Sequence, residues 1–112
     1  EGVPAYDELI YIANPKKMDQ SKIARFLKAT ELATQFIINN PEESWEIFSS
    51  TSKELQNELN RRAWFDTIPR FALRPAANHE ARYKDFQDFL YSSGLIEKKV
   101  PIKELTRDIT QK

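Results

Sequence analysis

Apolar residues recur at helical spacing along most of this chain and depart from it at one place near the amino end. There Leu9-Ile10-Tyr11-Ile12, introduced by Tyr6-Asp7-Glu8 and closed by Asn14-Pro15, forms a continuous apolar run. A continuous run suits a strand covered on both faces, as in a parallel sheet. Its β-branched and aromatic content favours a strand over the helix that so short a run also admits.

Everything downstream reads as helix. Asp19 or Ser21 is placed to cap a segment in which Ile23, Phe26, Leu27, Ala33, Phe36 and Ile37 are expected to face inward, and Asn39-Asn40 stops it. Asn40 is the next expected cap, with Pro41 at the first helical position and Glu43 completing a capping box. That short helix offers Trp45 and Phe48 to a core. Thr51 with Glu54 repeats the device for a third helix, whose expected stripe is Leu55, Leu59 and Ala63 and whose end is Pro69. Residues 69–77 read as a loop with Phe71 and Leu73 tucked inward. Asn78 is expected to cap a fourth helix facing inward through Tyr83, Phe86, Phe89 and Leu90, which Gly94 closes with Leu95 against Leu90. A last weak helix starts at Pro101, with Ile102, Leu105 and Ile109 inward. The expected fold class is therefore predominantly α with one N-terminal strand.

A lone buried-type strand needs hydrogen-bonding neighbours on both sides, because each unpaired buried amide costs about 1–3 kcal/mol. Nothing downstream offers a second strand of comparable quality. Either the strand belongs to a sheet made by preceding residues, or the isolated chain self-associates through residues 9–12. The first is expected of the native protein and the second of these 112 residues alone. The opening Glu1-Gly2-Val3-Pro4 has no initiating Met, so the chain is expected to be cut from something longer.

At 112 residues, with 40% hydrophobic and 30% charged, the chain has the makings of one domain at most and is too apolar for disorder. Seventeen basic residues balance seventeen acidic ones, and no basic cluster stands out, so no nucleic-acid partner is expected. No apolar run approaches the ~20 residues that cross a bilayer. With no cysteine there are no disulfides, thiolate nucleophiles or Cys-based metal sites. His79, the single histidine, has no partner nucleophile or orienting group in view and is expected to sit exposed in the first turn of its helix. Two glycines exclude a glycine-rich nucleotide loop, and the doublets Lys16-Lys17, Arg61-Arg62 and Lys98-Lys99 read as solvated faces. No catalytic residue, metal site or cofactor is expected of this chain.

Three stretches carry a resemblance: Tyr6-Asp7-Glu8-Leu9-Ile10, Asn40-Pro41-Glu42-Glu43-Ser44-Trp45, and above all the run from Leu59-Asn60-Arg61-Arg62-Ala63-Trp64-Phe65-Asp66 to Thr67-Ile68-Pro69-Arg70-Phe71-Ala72. Together they resemble the C-terminal part of the thiamine-pyrimidine precursor-binding proteins of bacterial ABC importers, a family related to the fungal-type pyrimidine synthases. The likeness runs from about Gly2 to Ile109, roughly the last third of a typical member. It implies a C-terminal fragment of an α/β two-lobed periplasmic-binding-protein fold, closing by hinge motion on a pyrimidine held between the lobes. Residues 1–112 would be a single partial domain: a hinge-exit strand at 6–14, then helices at 19–109 on the first lobe's sheet.

On that implied fold, Tyr6, Asp7 and Glu8 skirt the cleft. A tyrosine face stacks on a pyrimidine and a carboxylate accepts hydrogen bonds from an exocyclic amine, with Tyr6 and Asp7 placed better than Glu8. Trp64, Phe65, Asp66 and Arg70 read first as an aromatic anchor at a helix end and only second as a ligand wall or permease-docking surface. The implied function is a periplasmic or extracytoplasmic receptor that captures a thiamine-related pyrimidine and hands it to the importer's permease. The alternatives are part of a pyridoxal-phosphate- and iron-dependent pyrimidine synthase, which would be cytoplasmic, and a free-standing helical interaction module.

Overall fold

The computed structural model describes residues 2–109. Five α-helices are formed among them: α1 (Gln20–Asn39), α2 (Pro41–Ser49), α3 (Glu58–Thr67), α4 (Glu80–Ser92) and α5 (Ile102–Leu105). Single 3-10 turns occupy Lys53–Leu55 and Ile68–Arg70. Contacts divide the described residues into two compact units, one from residues 2–23 and 76–109, the other from residues 24–75.

The expected strand is not formed. Residues 8–9 bend and residues 10–14 are coil, and no strand exists among the described residues. The physical reason lies in the other elements: they are helical, and a strand without a partner has no ladder. The ribbon stays open instead, with Leu9 99% and Ile12 88% exposed. It ends at a turn where the Asn14 side chain accepts from the Lys16 N–H at 3.0 Å and the Asn14 carbonyl accepts from Lys17 and Met18.

Helix α1 begins at the end of the first unit and runs on into the second; it is capped at its start by Asp19, whose carboxylate accepts from the Lys22 N–H at 3.1 Å. Its inward face differs from the expected one. Leu27 and Thr34 are buried and Ile23, Thr30 and Ile37 half-buried, while Phe26, Ala33 and Phe36 are exposed. Threonine tolerates the inward positions because the Thr30 and Thr34 hydroxyls donate to the carbonyls of Phe26 and Thr30, at 3.0 and 2.9 Å. The chain turns into α2 through Asn40-Pro41, with Pro41 in the first turn. The capping box does not form. Asn40 instead turns its amide back to the Phe36 carbonyl of α1, at 3.1 Å. Trp45 is buried as expected, 9% exposed, whereas Phe48 is only partly covered.

The third helix starts later than the Thr51–Glu54 signal implied. Thr51 donates to the Phe48 carbonyl and so closes α2, and Ser52 caps only the 3-10 turn. The cap of α3 is Asn57, whose Oδ1 accepts from the Asn60 N–H at 2.9 Å. The inward face also differs from the expected one. Leu59 is 79% exposed and Ala63 is exposed, while Asn60, Arg61, Trp64, Phe65 and Ile68 face inward. Phe71 and Leu73, expected inside, are both exposed.

In the first unit, α4 begins one residue beyond the expected Asn78 cap, with an exposed His79 at the cap position. Tyr83, Phe86, Phe89 and Leu90 are half-buried along its inner face, as expected. It ends in a Schellman turn: the Leu95 N–H donates to the Leu90 carbonyl at 2.9 Å, and that of Gly94 to Tyr91 at 3.0 Å. Gly94 takes φ +72°, the left-handed conformation this turn requires. The returning chain is fastened to α4 by Gln87, whose side-chain amide donates to the Val100 carbonyl and accepts from its N–H, both at 3.0 Å. Helix α5 packs on α4 with Ile102 half-buried, but Leu105, expected inward, is exposed.

Candidate functional site

Tyr6, Asp7 and Glu8 lie in the first unit on the extended lead-in to the ribbon. The Tyr6 ring stacks on Phe86 of α4, with centroids 4.4 Å apart and planes 7° from parallel. Phe86 continues the stack to Phe89 at 6.4 Å and 11°. Asp7 Oδ1 accepts from the Arg82 guanidinium at 2.7 Å, across 75 residues of sequence. Residues four apart share one face of a helix, so α4 presents Arg82 and Phe86 to the lead-in together. Glu8 reaches only back to Tyr6, accepting from its hydroxyl at a long 3.4 Å. The structure thus gathers Tyr6 and Asp7 into one cluster and leaves Glu8 at its rim. Arg82 and Phe86 escaped sequence reasoning because nothing in the order of residues joins positions 7 and 82.

Tyr83 sits beside them. Its phenol is held above the ordinary value, first by burial and then by the charge and hydrogen bond of Asp7, with Arg82 pulling the other way. Tyr6, Asp7, Arg82, Tyr83 and Phe86 surround a crevice of about 20 Å³, room for one water and too little for a ring. A planar ligand therefore has the uncovered part of Tyr6, 41% exposed, and the rest of the Asp7 carboxylate to meet. A larger open groove of about 360 Å³ in the same unit is lined by Asn78, Glu80, Lys103, Thr106, Arg107 and Asp108. Its walls carry no aromatic ring, which makes the Tyr6 cluster the better candidate for a heteroaromatic ligand.

In the second unit, α2 and α3 share an aromatic cluster. Phe48 stacks on Trp64 at 4.5 Å, and Trp45 stands 6.4 Å from Trp64. Arg61 forks onto both oxygens of Glu42 at 3.0 Å and lies 4.7 Å over the Phe65 ring. Trp64 and Phe65 are thus half-buried packing residues, while Asp66 and Arg70 are exposed. Among the described residues no group of three or more His, Asp or Glu is placed to hold a metal, and no helix is long and apolar enough to cross a membrane.

Comparison with known proteins places these features. The family model described as NMT1/THI5 like matches residues 1–44, which take in Tyr6, Asp7, the ribbon and α1. A Haemophilus influenzae protein named "Putative thiamine biosynthesis protein" is 40% identical over 109 residues, 96% of this chain. Over residues 1–44 the chain carries the pattern of the NMT1/THI5-like family. The chain spans 35% of that relative's length. No solved structure matches the chain.

Proposed function

We propose that this chain is part of a solute-binding protein that captures a thiamine-related pyrimidine outside the cytoplasmic membrane and delivers it to the permease of an ABC importer. The observation that carries the reading is the Tyr6–Asp7 pair. An aromatic face and a carboxylate, adjacent in sequence and braced from α4, offer a stacking surface beside an acceptor for an exocyclic amine. Tyr6 and Asp7 are the ligand contacts in this reading, and Glu8 a rim contact. The match of residues 1–44 to the NMT1/THI5-like family model and the relative's thiamine name support the ligand class.

The fold reading that goes with it is a two-lobed periplasmic-binding protein, of which residues 1–112 form part of the first lobe. The exposed apolar ribbon 9–12 supports it, being a surface that the remainder of that lobe would cover. A second reading is the synthase that the resemblance leaves open, part of a cytoplasmic pyrimidine synthase using pyridoxal phosphate and iron; the word biosynthesis in the relative's name favours it.

Calorimetry on the full-length protein tests the proposal. Hydroxymethyl- and formylaminomethyl-aminopyrimidines are expected to bind at one site, without turnover and without added pyridoxal phosphate or iron. Failure of both to bind would sink the receptor reading, and consumption of bound pyridoxal phosphate with release of a pyrimidine would establish the synthase. The isolated 112 residues are expected to bind neither ligand well, because they supply only one wall of a cleft.

A further inference from the structure

We infer that Arg82 and Phe86 are positioning residues that give the site its preference for an amino-bearing pyrimidine, an inference that rests on the ligand-binding reading of Tyr6 and Asp7.

The lead-in carrying Tyr6 and Asp7 belongs to no helix or strand, so its backbone alone does not aim either side chain. The aiming comes from α4. Arg82 takes Asp7 Oδ1 at 2.7 Å, and Tyr83 lines the same small crevice. A carboxylate has about four acceptor positions, so the Arg82 bond leaves room for an incoming N–H₂ while fixing the side from which it is received. Phe86 lies 4.4 Å behind the Tyr6 ring and 7° from parallel, which holds that ring with its other side outward. The two braces stand four residues apart on α4, so one rigid helix sets the angle between stacking face and acceptor. Groups held in place before the ligand arrives lose less freedom on binding, and the hydrogen bond from the amine is where that gain becomes selective.

The two braces predict different signatures. Arg82 acts through the acceptor, so its loss falls on the amine. Phe86 acts through the stacking face, so its loss falls on the whole ring. The test is calorimetry on the full-length protein with hydroxymethyl-aminopyrimidine and with the same ring lacking its amino group. Arg82→Gln is expected to shrink the preference for the amino compound about tenfold, and Arg82→Lys to keep it to within about threefold of wild type, because a lysine retains one charged donor. Phe86→Leu is expected to weaken both ligands alike, by about five- to tenfold, leaving the preference unchanged.

An Arg82→Gln protein that keeps the wild-type preference, or a Phe86→Leu protein that binds both ligands as wild type does, overturns the inference while leaving the receptor reading in place. A wild-type protein that binds neither compound overturns both together. Thermal melting of each variant separates misfolding from misplacement: equal loss for both ligands in Arg82→Gln, restored by neither lysine nor lower temperature, also counts against positioning.

Discussion

Gly94 holds a left-handed turn with nothing within 4 Å of where a Cβ would stand. Replacement by alanine therefore costs backbone conformation alone, about 1 kcal/mol, and asparagine should cost less because it tolerates that region better. Denaturant melts of the two variants should rank wild type, Gly94→Asn and Gly94→Ala in falling order. Tyr83 carries a different residue-scale prediction. Its raised pKa means that the folded state favours the protonated phenol. The associated stabilisation is complete below the unfolded tyrosine value of 10.0 and disappears as pH rises through the folded one. Asp7→Asn removes a carboxylate that holds the proton on, so NMR titration of the Tyr83 ring should show its midpoint move down. An unchanged midpoint would mean that Asp7 does not bear on Tyr83 in solution.

At the scale of elements, helix ends were far more legible in the sequence than helix faces. Asp19, Asn39-Asn40, Pro41 and Gly94 all mark real boundaries, because a cap or a left-handed turn is a local device whose partners lie within a few residues. Faces depend on what packs against them. In α1 the inward Thr34 was invisible to a hydrophobic pattern, since its hydroxyl is satisfied by its own helix. In α3 the Thr51–Glu54 signal misplaced the start, and the Trp64 side lies inward because Trp45 and Phe48 of α2 pack against it. The candidate site divides the same way: Tyr6 and Asp7 are candidates through the fold that the resemblance implies, whereas nothing in the order of residues joins them to their braces 75 or more positions away. The Asn57 cap is testable. Asn57→Ala should destabilise the second unit by about 1 kcal/mol while Asn57→Asp stays close to wild type, read from urea melts followed by tryptophan fluorescence, since Trp45 and Trp64 both lie in that unit.

For the whole molecule, the apolar ribbon is the feature with most consequence. Leu9, Ile10, Tyr11 and Ile12 are all exposed in a chain that spans 35% of its relative's length. An extended apolar segment in this condition is a template for pairing with another of its kind, and no charge lies within those four residues to discourage it. The isolated chain should therefore associate as its concentration rises, gaining strand signal in circular dichroism as it does so. Leu9→Lys combined with Ile12→Lys should keep it monomeric in sedimentation without disturbing the tryptophan cluster, because repulsion along a paired edge opposes what apolar contact favours. On the proposed two-lobed fold the ribbon's neighbours would belong to its own molecule, so the same double substitution in the full-length protein should act in the opposite sense, lowering stability and raising aggregation. Association of the isolated chain that persists through both lysines would move the sticky surface elsewhere, to the exposed Phe26, Phe36 and Ile47 side chains of α1 and α2. Full-length protein indifferent to them would mean the ribbon stays in solvent in the native state, and the reading of these residues as part of a larger lobe would fall.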